Sequence, residues 1–168
     1  MTTAVTATDV VALASHLGLT VATAESLTAG MVASSLADVP GASTVLQGGI
    51  VAYQVAVKER LLGVDAELLA SAGAVDPRVA AAMADGARRV LAADIGVSTT
   101  GIAGPTPHEG RPVGTVFTAI STASGTTSFE HHFAGDRESI RIASRAAVLT
   151  ELSELLRELS KGTNDGRG

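Results

Sequence analysis

An α/β domain, a three-layer α/β/α sandwich around a mixed, mostly parallel sheet, is the architecture this sequence predicts. Three observations carry it. Short strand-like runs at 20–24, 46–52 and 95–100 are separated by helix-patterned stretches, the rhythm of a parallel sheet with helical crossovers. Two further runs, 115–121 and 126–133, flank Ser124-Gly125 as a hairpin would, which adds antiparallel pairing. The chain is 46% hydrophobic yet has three Phe, one Tyr and no Trp. Its core is therefore Ala, Val, Leu and Ile, side chains that suit helices packed closely on a sheet.

Each element has a local cause. Thr8 is positioned to cap a helix from Asp9 to about Leu17, with Val10, Val11, Leu13, Ala14 and Leu17 on one side and Gly18 as its stop. Thr20 to Ala24 reads as a strand. A helix then begins at Ser26 or Leu27 and runs to about Leu36, closed by Pro40-Gly41. The strand from Leu46 to Ala52 holds Gly48-Gly49, which marks a bulge or a close backbone approach. Val55 to Leu62 is helical up to Gly63, and Asp65 caps a short helix to about Ala72. Asp76-Pro77 opens a strong Ala-rich helix to about Leu91, with a capping carboxylate and a proline in the first turn. Ile95 to Thr100 is a strand, and Gly101 to Arg111 a loop. After the hairpin, an amphipathic helix spans Glu138 to Leu159, with Glu151 and Glu154 expected on its solvated face. With no internal repeat or long linker, 168 residues make one domain. It is expected over 1–160, with a polar, glycine-rich flexible tail at 161–168.

Bulk properties exclude several functions. A net charge of −5 argues against nucleic acid as a main partner, because backbone binding needs a basic surface. With no cysteine, disulfides, thiolate metal sites and cysteine nucleophiles are absent. His131-His132 occupy a strand and point to opposite faces, so no metal site is expected. The start of the chain lacks the pattern of a signal peptide, and no apolar run reaches the ~20 residues of a membrane span. A cytoplasmic protein without membrane contact is the expectation.

Four constellations carry possible chemistry. Thr23 to Gly30 sits where a strand hands over to a helix. There Glu25, Ser26 and Thr28 border helix-start amides open to an anion, or else form a plain helix cap. Ser98 to Pro105 follows a strand, the position at which open α/β sheets bind ligands. Its Thr100, Gly101, Ala103 and Gly104 expose backbone to a ligand or simply make a turn. Pro40-Gly41-Ala42-Ser43, Tyr53 and Lys58 offer a hydroxyl, a phenol and an amine. These are the parts of a Ser/Lys hydrolase if the amine is neutral, and a loop serine with a solvated lysine otherwise. Arg137 and Arg141, four apart on a helix, share a face and can clamp a phosphate or pair with nearby acids.

Taken in order, these segments resemble the CinA C-terminal domain family, which includes nicotinamide mononucleotide deamidases. The resemblance runs from Thr23-Ala24-Glu25-Ser26-Leu27-Thr28-Ala29-Gly30 through Pro40-Gly41-Ala42-Ser43 and Gly48-Gly49-Ile50-Val51-Ala52-Tyr53 with Lys58. It continues in Thr100-Gly101-Ile102-Ala103-Gly104-Pro105, Pro112-Val113-Gly114-Thr115-Val116 and Phe133-Ala134-Gly135-Asp136-Arg137 with Arg141. It covers roughly residues 8 to 158. It implies an amidohydrolase that converts nicotinamide mononucleotide to nicotinate mononucleotide and ammonia without a cofactor. Ser43 is the implied nucleophile, Lys58 its base and Tyr53 an assisting group. Glu25 to Thr28 and Thr100 to Gly104 are the implied substrate turns, with Arg141 at the anionic end. The implied partner is a small pyridine nucleotide, the implied assembly a homo-oligomer, and the implied form a stand-alone domain. Three departures stand out: Ala29 for a glycine, Ala42 for a serine, and Thr106-Pro107-His108-Glu109-Gly110 where relatives carry a glycine pair in a longer loop. That loop borders the expected pocket. The competing readings are a non-catalytic nucleotide-binding or interaction domain and an amidase for another small carboxamide.

Overall fold

The structure, a computed structural model, describes residues 5–165. Helix α1 (Ala7–Leu17) is capped by Thr6, not Thr8, because Asp9 at the third helical position answers it: the Thr6 amide donates to Asp9 Oδ2 at 2.8 Å. Strand β1 (Val21–Glu25) leads to α2 (Met31–Ala37), then a single 3-10 turn (Ala42–Thr44), β2 (Leu46–Val51), α3 (Val55–Leu62), α4 (Ala66–Ala72) and α5 (Pro77–Val90). Next come β3 (Ile95–Gly101), the hairpin β4 (Thr115–Thr122) and β5 (Gly125–His132), and α6 (Arg137–Asp165). Helix α6 extends beyond Leu159, so Lys161 to Asp165 continue it. The rest of the expected tail, 166–168, lies outside the described residues.

The strands form one sheet in the order β2-β1-β3-β4-β5. β1 is parallel to both neighbours, whereas β3–β4 and β4–β5 are antiparallel. Four of the five strands therefore point the same way. Gly48-Gly49 serves both purposes expected of it. The β1–β2 register slips between Val21 and Ala22. A Cβ at Gly49 would stand 2.5 Å from Thr23 Oγ1 and 3.0 Å from the Ala33 methyl, so only glycine lets β2 lie this close.

Helices α1, α2 and α6 cover one face, through Val10, Ala14, Val32, Leu36, Val148 and Leu152. Helices α3, α4 and α5 cover the other, through Leu62, Leu69, Val79 and Met83. All five residues of β1 are buried, as a strand covered on both faces requires. Glu151 departs from its expected solvated position. It is buried under the sheet, where it accepts the Thr118 hydroxyl at 2.7 Å and lies 2.8 Å from His131 Nε2. His131 and His132 do face opposite ways, the second beside Glu130. Among the described residues, no helix is long and apolar enough to cross a membrane.

What matters for function is one end of this sheet. Ser26 follows β1, Ala52-Tyr53 follow β2, and Ile102–Gly104 follow β3. All three strands are parallel, so these segments emerge together at their carboxyl ends.

Candidate active site

Lys58 is among the largest fully buried side chains of the described residues, 1% exposed. It sits mid-way along α3, on the side facing the sheet. Its Nζ donates to the carbonyls of Ala52 (2.6 Å) and Tyr53 (3.3 Å) and stands 3.1 Å from Ser26 Oγ. Burial disfavours the ammonium and pulls its pKa from 10.5 down to about 8, against the opposing pull of the Glu109 carboxylate. The geometry suits a base. A neutral amine has two N–H donors and one lone pair. The two carbonyls take the donors, which leaves the lone pair for the serine hydroxyl.

Ser26 is held by what surrounds it. Its amide donates to Thr99 O, which extends the β1–β3 ladder by one residue. The chain then turns, with Ala29 at φ 48° and Gly30 at φ 99°, so α2 starts at Met31 and not at Ser26. Glu25 explains the late start. This carboxylate, 1% exposed, accepts the amides of Gly30, Val32 and Ala33 at 2.9–3.0 Å and the hydroxyls of Thr23 (3.2 Å) and Thr28 (2.6 Å). The helix-start amides expected to meet an anion are thus occupied from within. Glu25 and Thr28 are structural supports of the Ser26 turn, and Thr28 is fully buried against Thr99. From the other side Arg141 donates to Leu27 O (2.8 Å) and Thr28 O (3.3 Å), so it braces the same turn and does not face the cleft. Replacing Glu25 with Ala is expected to cost about 3 kcal/mol or more in denaturant unfolding, because five donors, three of them fully buried, lose their acceptor. An unfolding free energy unchanged from wild type would refute this account of the turn.

Ser26 and Lys58 lie in a cleft of about 350 Å³ whose lining includes Tyr53, Thr100, Gly101, Ala103, Gly104, Glu109 and Arg137. Thr100 donates its hydroxyl to Ala74 O (2.7 Å), joining the turn after β3 to the 73–75 segment. Arg137 spans the mouth, donating to Gly104 O and to the Tyr53 hydroxyl, each at 2.8 Å. Tyr53 therefore meets Lys58 through its carbonyl, while its phenol belongs to Arg137. Arg137 has no acidic partner among the described residues, which leaves its charge available to a ligand.

Ser43 is not part of this cleft. It is exposed in the 3-10 turn before β2, whereas Lys58 lies beyond the far end of that strand. The six residues of β2, at about 3.3 Å each, put close to 20 Å between the two ends. The serine expected as the nucleophile therefore lies away from the lysine expected as its base, and the hydroxyl beside that lysine belongs to Ser26, which the sequence groups with the ligand-binding residues. The available signal was position: Ser26 is the first residue past a parallel strand. Glu109 belongs to the 106–110 loop, whose local sequence does not show that its carboxylate turns inward. Its inward course depends on a left-handed conformation (φ 52°) and on bonds from the Ala74 and Val75 amides.

Comparison with known proteins agrees with the fold. The CinA C-terminal domain family matches residues 3–156. A CinA-like protein of Anaeromyxobacter sp. strain K is 50% identical over 151 residues, covering 88% of this chain and 36% of that protein. This chain spans about a third of the length of the curated relatives it matches. Among solved structures, a CinA superfamily protein from Klebsiella pneumoniae superposes with a TM-score of 0.88 at 29% identity, covering 90% of this chain and 96% of that one. The competence/damage inducible protein CihA from Agrobacterium tumefaciens gives 0.81 at 36% identity, covering 89% and 96%. By the extent of these matches, the chain belongs to the CinA C-terminal domain family.

Proposed function

We propose that this domain is a Ser/Lys amidohydrolase that releases ammonia from the carboxamide of nicotinamide mononucleotide. The observation that carries the reading is the buried amine of Lys58, 3.1 Å from Ser26 Oγ with its other two directions taken by carbonyls. Ser26 Oγ attacks the carboxamide carbon while Lys58 takes the hydroxyl proton. Lys58 then returns that proton to the departing nitrogen, and ammonia leaves an acyl-serine. Water attacks the ester carbon and loses a proton to Lys58. The carboxylate departs as Ser26 regains its hydrogen. In the turn after β3 the Ile102 amide is spent on Thr115 O, which leaves the amides of Ala103 and Gly104 in the cleft lining as the oxyanion donors of this reading, each such donor being worth about 3–4 kcal/mol in other hydrolases.

Arg137 replaces Arg141 as the group for the anionic end of the substrate. Its guanidinium lies at the cleft mouth, and its two neutral partners, a carbonyl and a phenol, are readily exchanged for a phosphate. Arg137→Ala is expected to raise KM for the nucleotide at least about ten-fold with a smaller change in kcat, the mark of lost ground-state binding. Steady-state ammonia release checks this and the proposal together. A protein that liberates no ammonia from nicotinamide mononucleotide refutes the assigned substrate. An unchanged KM in the variant refutes the role of Arg137.

A further inference from the structure

The carboxylate of Glu109 is the single acidic group among the residues lining the cleft. Two backbone amides anchor it. Oε2 accepts the Ala74 amide at 2.9 Å and the Val75 amide at 3.3 Å, and the side chain is 27% exposed. A Cβ on Gly73 would collide with this carboxylate, so the glycine makes room for it. Lys58 and Arg137 line the same cleft, and His108 Nε2 lies 3.7 Å from Oε1. The cleft thus has a cation at one place and an anchored anion at another, which complements a ligand carrying both charges.

Resting on the amidohydrolase reading, we infer that Glu109 selects the charge of the ring that bears the carboxamide, favouring N-substituted pyridinium carboxamides over neutral ones. The reacting carbon must come within about 3–3.5 Å of Ser26 Oγ. The ring attached to it then extends into the same cleft that Glu109 lines. A pyridinium there is attracted by the carboxylate, and a phenyl ring of the same shape is not. The attraction also offsets the repulsion that a cationic ring meets from Lys58 while that amine is protonated. Two bonds from backbone amides reduce the carboxylate's charge but do not cancel it.

The test separates charge from anchoring. Glu109→Gln keeps a carbonyl oxygen for the Ala74 amide and removes the charge, whereas Glu109→Ala removes both. Each is made in the Ser26→Ala protein, so that ligands bind without turnover. Binding of nicotinamide mononucleotide is compared with binding of benzamide riboside 5′-monophosphate, which has the same ribose phosphate on an uncharged ring. Glu109→Gln is expected to weaken the cationic ligand about ten-fold and leave the neutral one within two-fold of its original affinity (~). Glu109→Ala is expected to weaken both. Equal losses for the two ligands in Glu109→Gln, no loss for either, or no measurable binding of either to the Ser26→Ala parent would overturn the inference. Ammonia release by the wild-type protein is scored separately. Turnover of nicotinamide mononucleotide without charge selection sinks this inference alone, and absence of turnover sinks the reading beneath it.

Discussion

Ser26→Ala is expected to lower ammonia release from nicotinamide mononucleotide about 10⁴-fold or more, while Ser43→Ala stays within about two-fold of wild type. The contrast rests on geometry. A serine hydroxyl is a weak nucleophile until a base accepts its proton, and the base must lie within hydrogen-bond reach. Lys58 reaches Ser26 and has no path to Ser43, which is exposed at the opposite end of β2. The loss in Ser26→Ala should be purely chemical. The bonds that shape the turn come from Glu25, Thr28, Thr99 and Arg141, and the Ser26 side chain contributes only its contact with Lys58. Melting temperature and circular dichroism should therefore match wild type. An active Ser26→Ala protein, or an inactive but folded Ser43→Ala protein, would return the nucleophile to position 43 and leave the Lys58–Ser26 contact without a catalytic purpose.

The contrast also marks where the sequence was legible. Alternating strands and helices, the Asp76-Pro77 start of α5, the Gly18 and Gly63 stops and the hairpin about Ser124-Gly125 are local patterns, and the fold follows them. The start of α2 is not local in that sense. Its amides are capped by Glu25 from five to eight residues upstream, at the end of a strand. A search for Ser or Thr caps in the first turn therefore places the helix too early. The same misplacement conceals Ser26, because a cap serine is spent on backbone whereas a turn serine is free to face a cleft. Ligands bind beyond the carboxyl ends of parallel strands, and Ser26 holds that position after β1 as Ile102–Gly104 do after β3. Glu109 and Glu151 could not be recovered that way. Whether a loop carboxylate turns inward, or a helix carboxylate is met by a threonine and a histidine from the sheet, depends on contacts 20 to 35 residues away in the chain.

Lys58→Met is expected to abolish activity and to flatten a pH dependence of stability that the wild-type protein shows. The amine titrates at about 8 in the folded protein against 10.5 when exposed. Catalysis needs its neutral form. Activity should rise about ten-fold per pH unit below 8 and level off above it. Stability follows the same group with its own sign. Between pH 8 and 10.5 the unfolded chain holds the proton that the folded chain has released, so unfolding becomes harder as pH rises through that window, by about 3 kcal/mol in all. Below pH 8 both states are protonated, and the full cost of burying the ammonium is present at neutral pH. Methionine matches the stem of lysine without the charge. Its removal of that cost is offset by about 1–3 kcal/mol, because the Ala52 and Tyr53 carbonyls lose their donor. Denaturant unfolding at pH 7 and pH 10 on both proteins isolates the term, since every other titrating group is common to the two. A wild-type protein whose stability changes no more than that of Lys58→Met across this window would mean an amine with an ordinary pKa. Such an amine is neutral in fewer than about one molecule in a thousand at pH 7, against about one in ten for an amine that titrates at about 8, so the acyl-transfer chemistry would lose nearly all of its base.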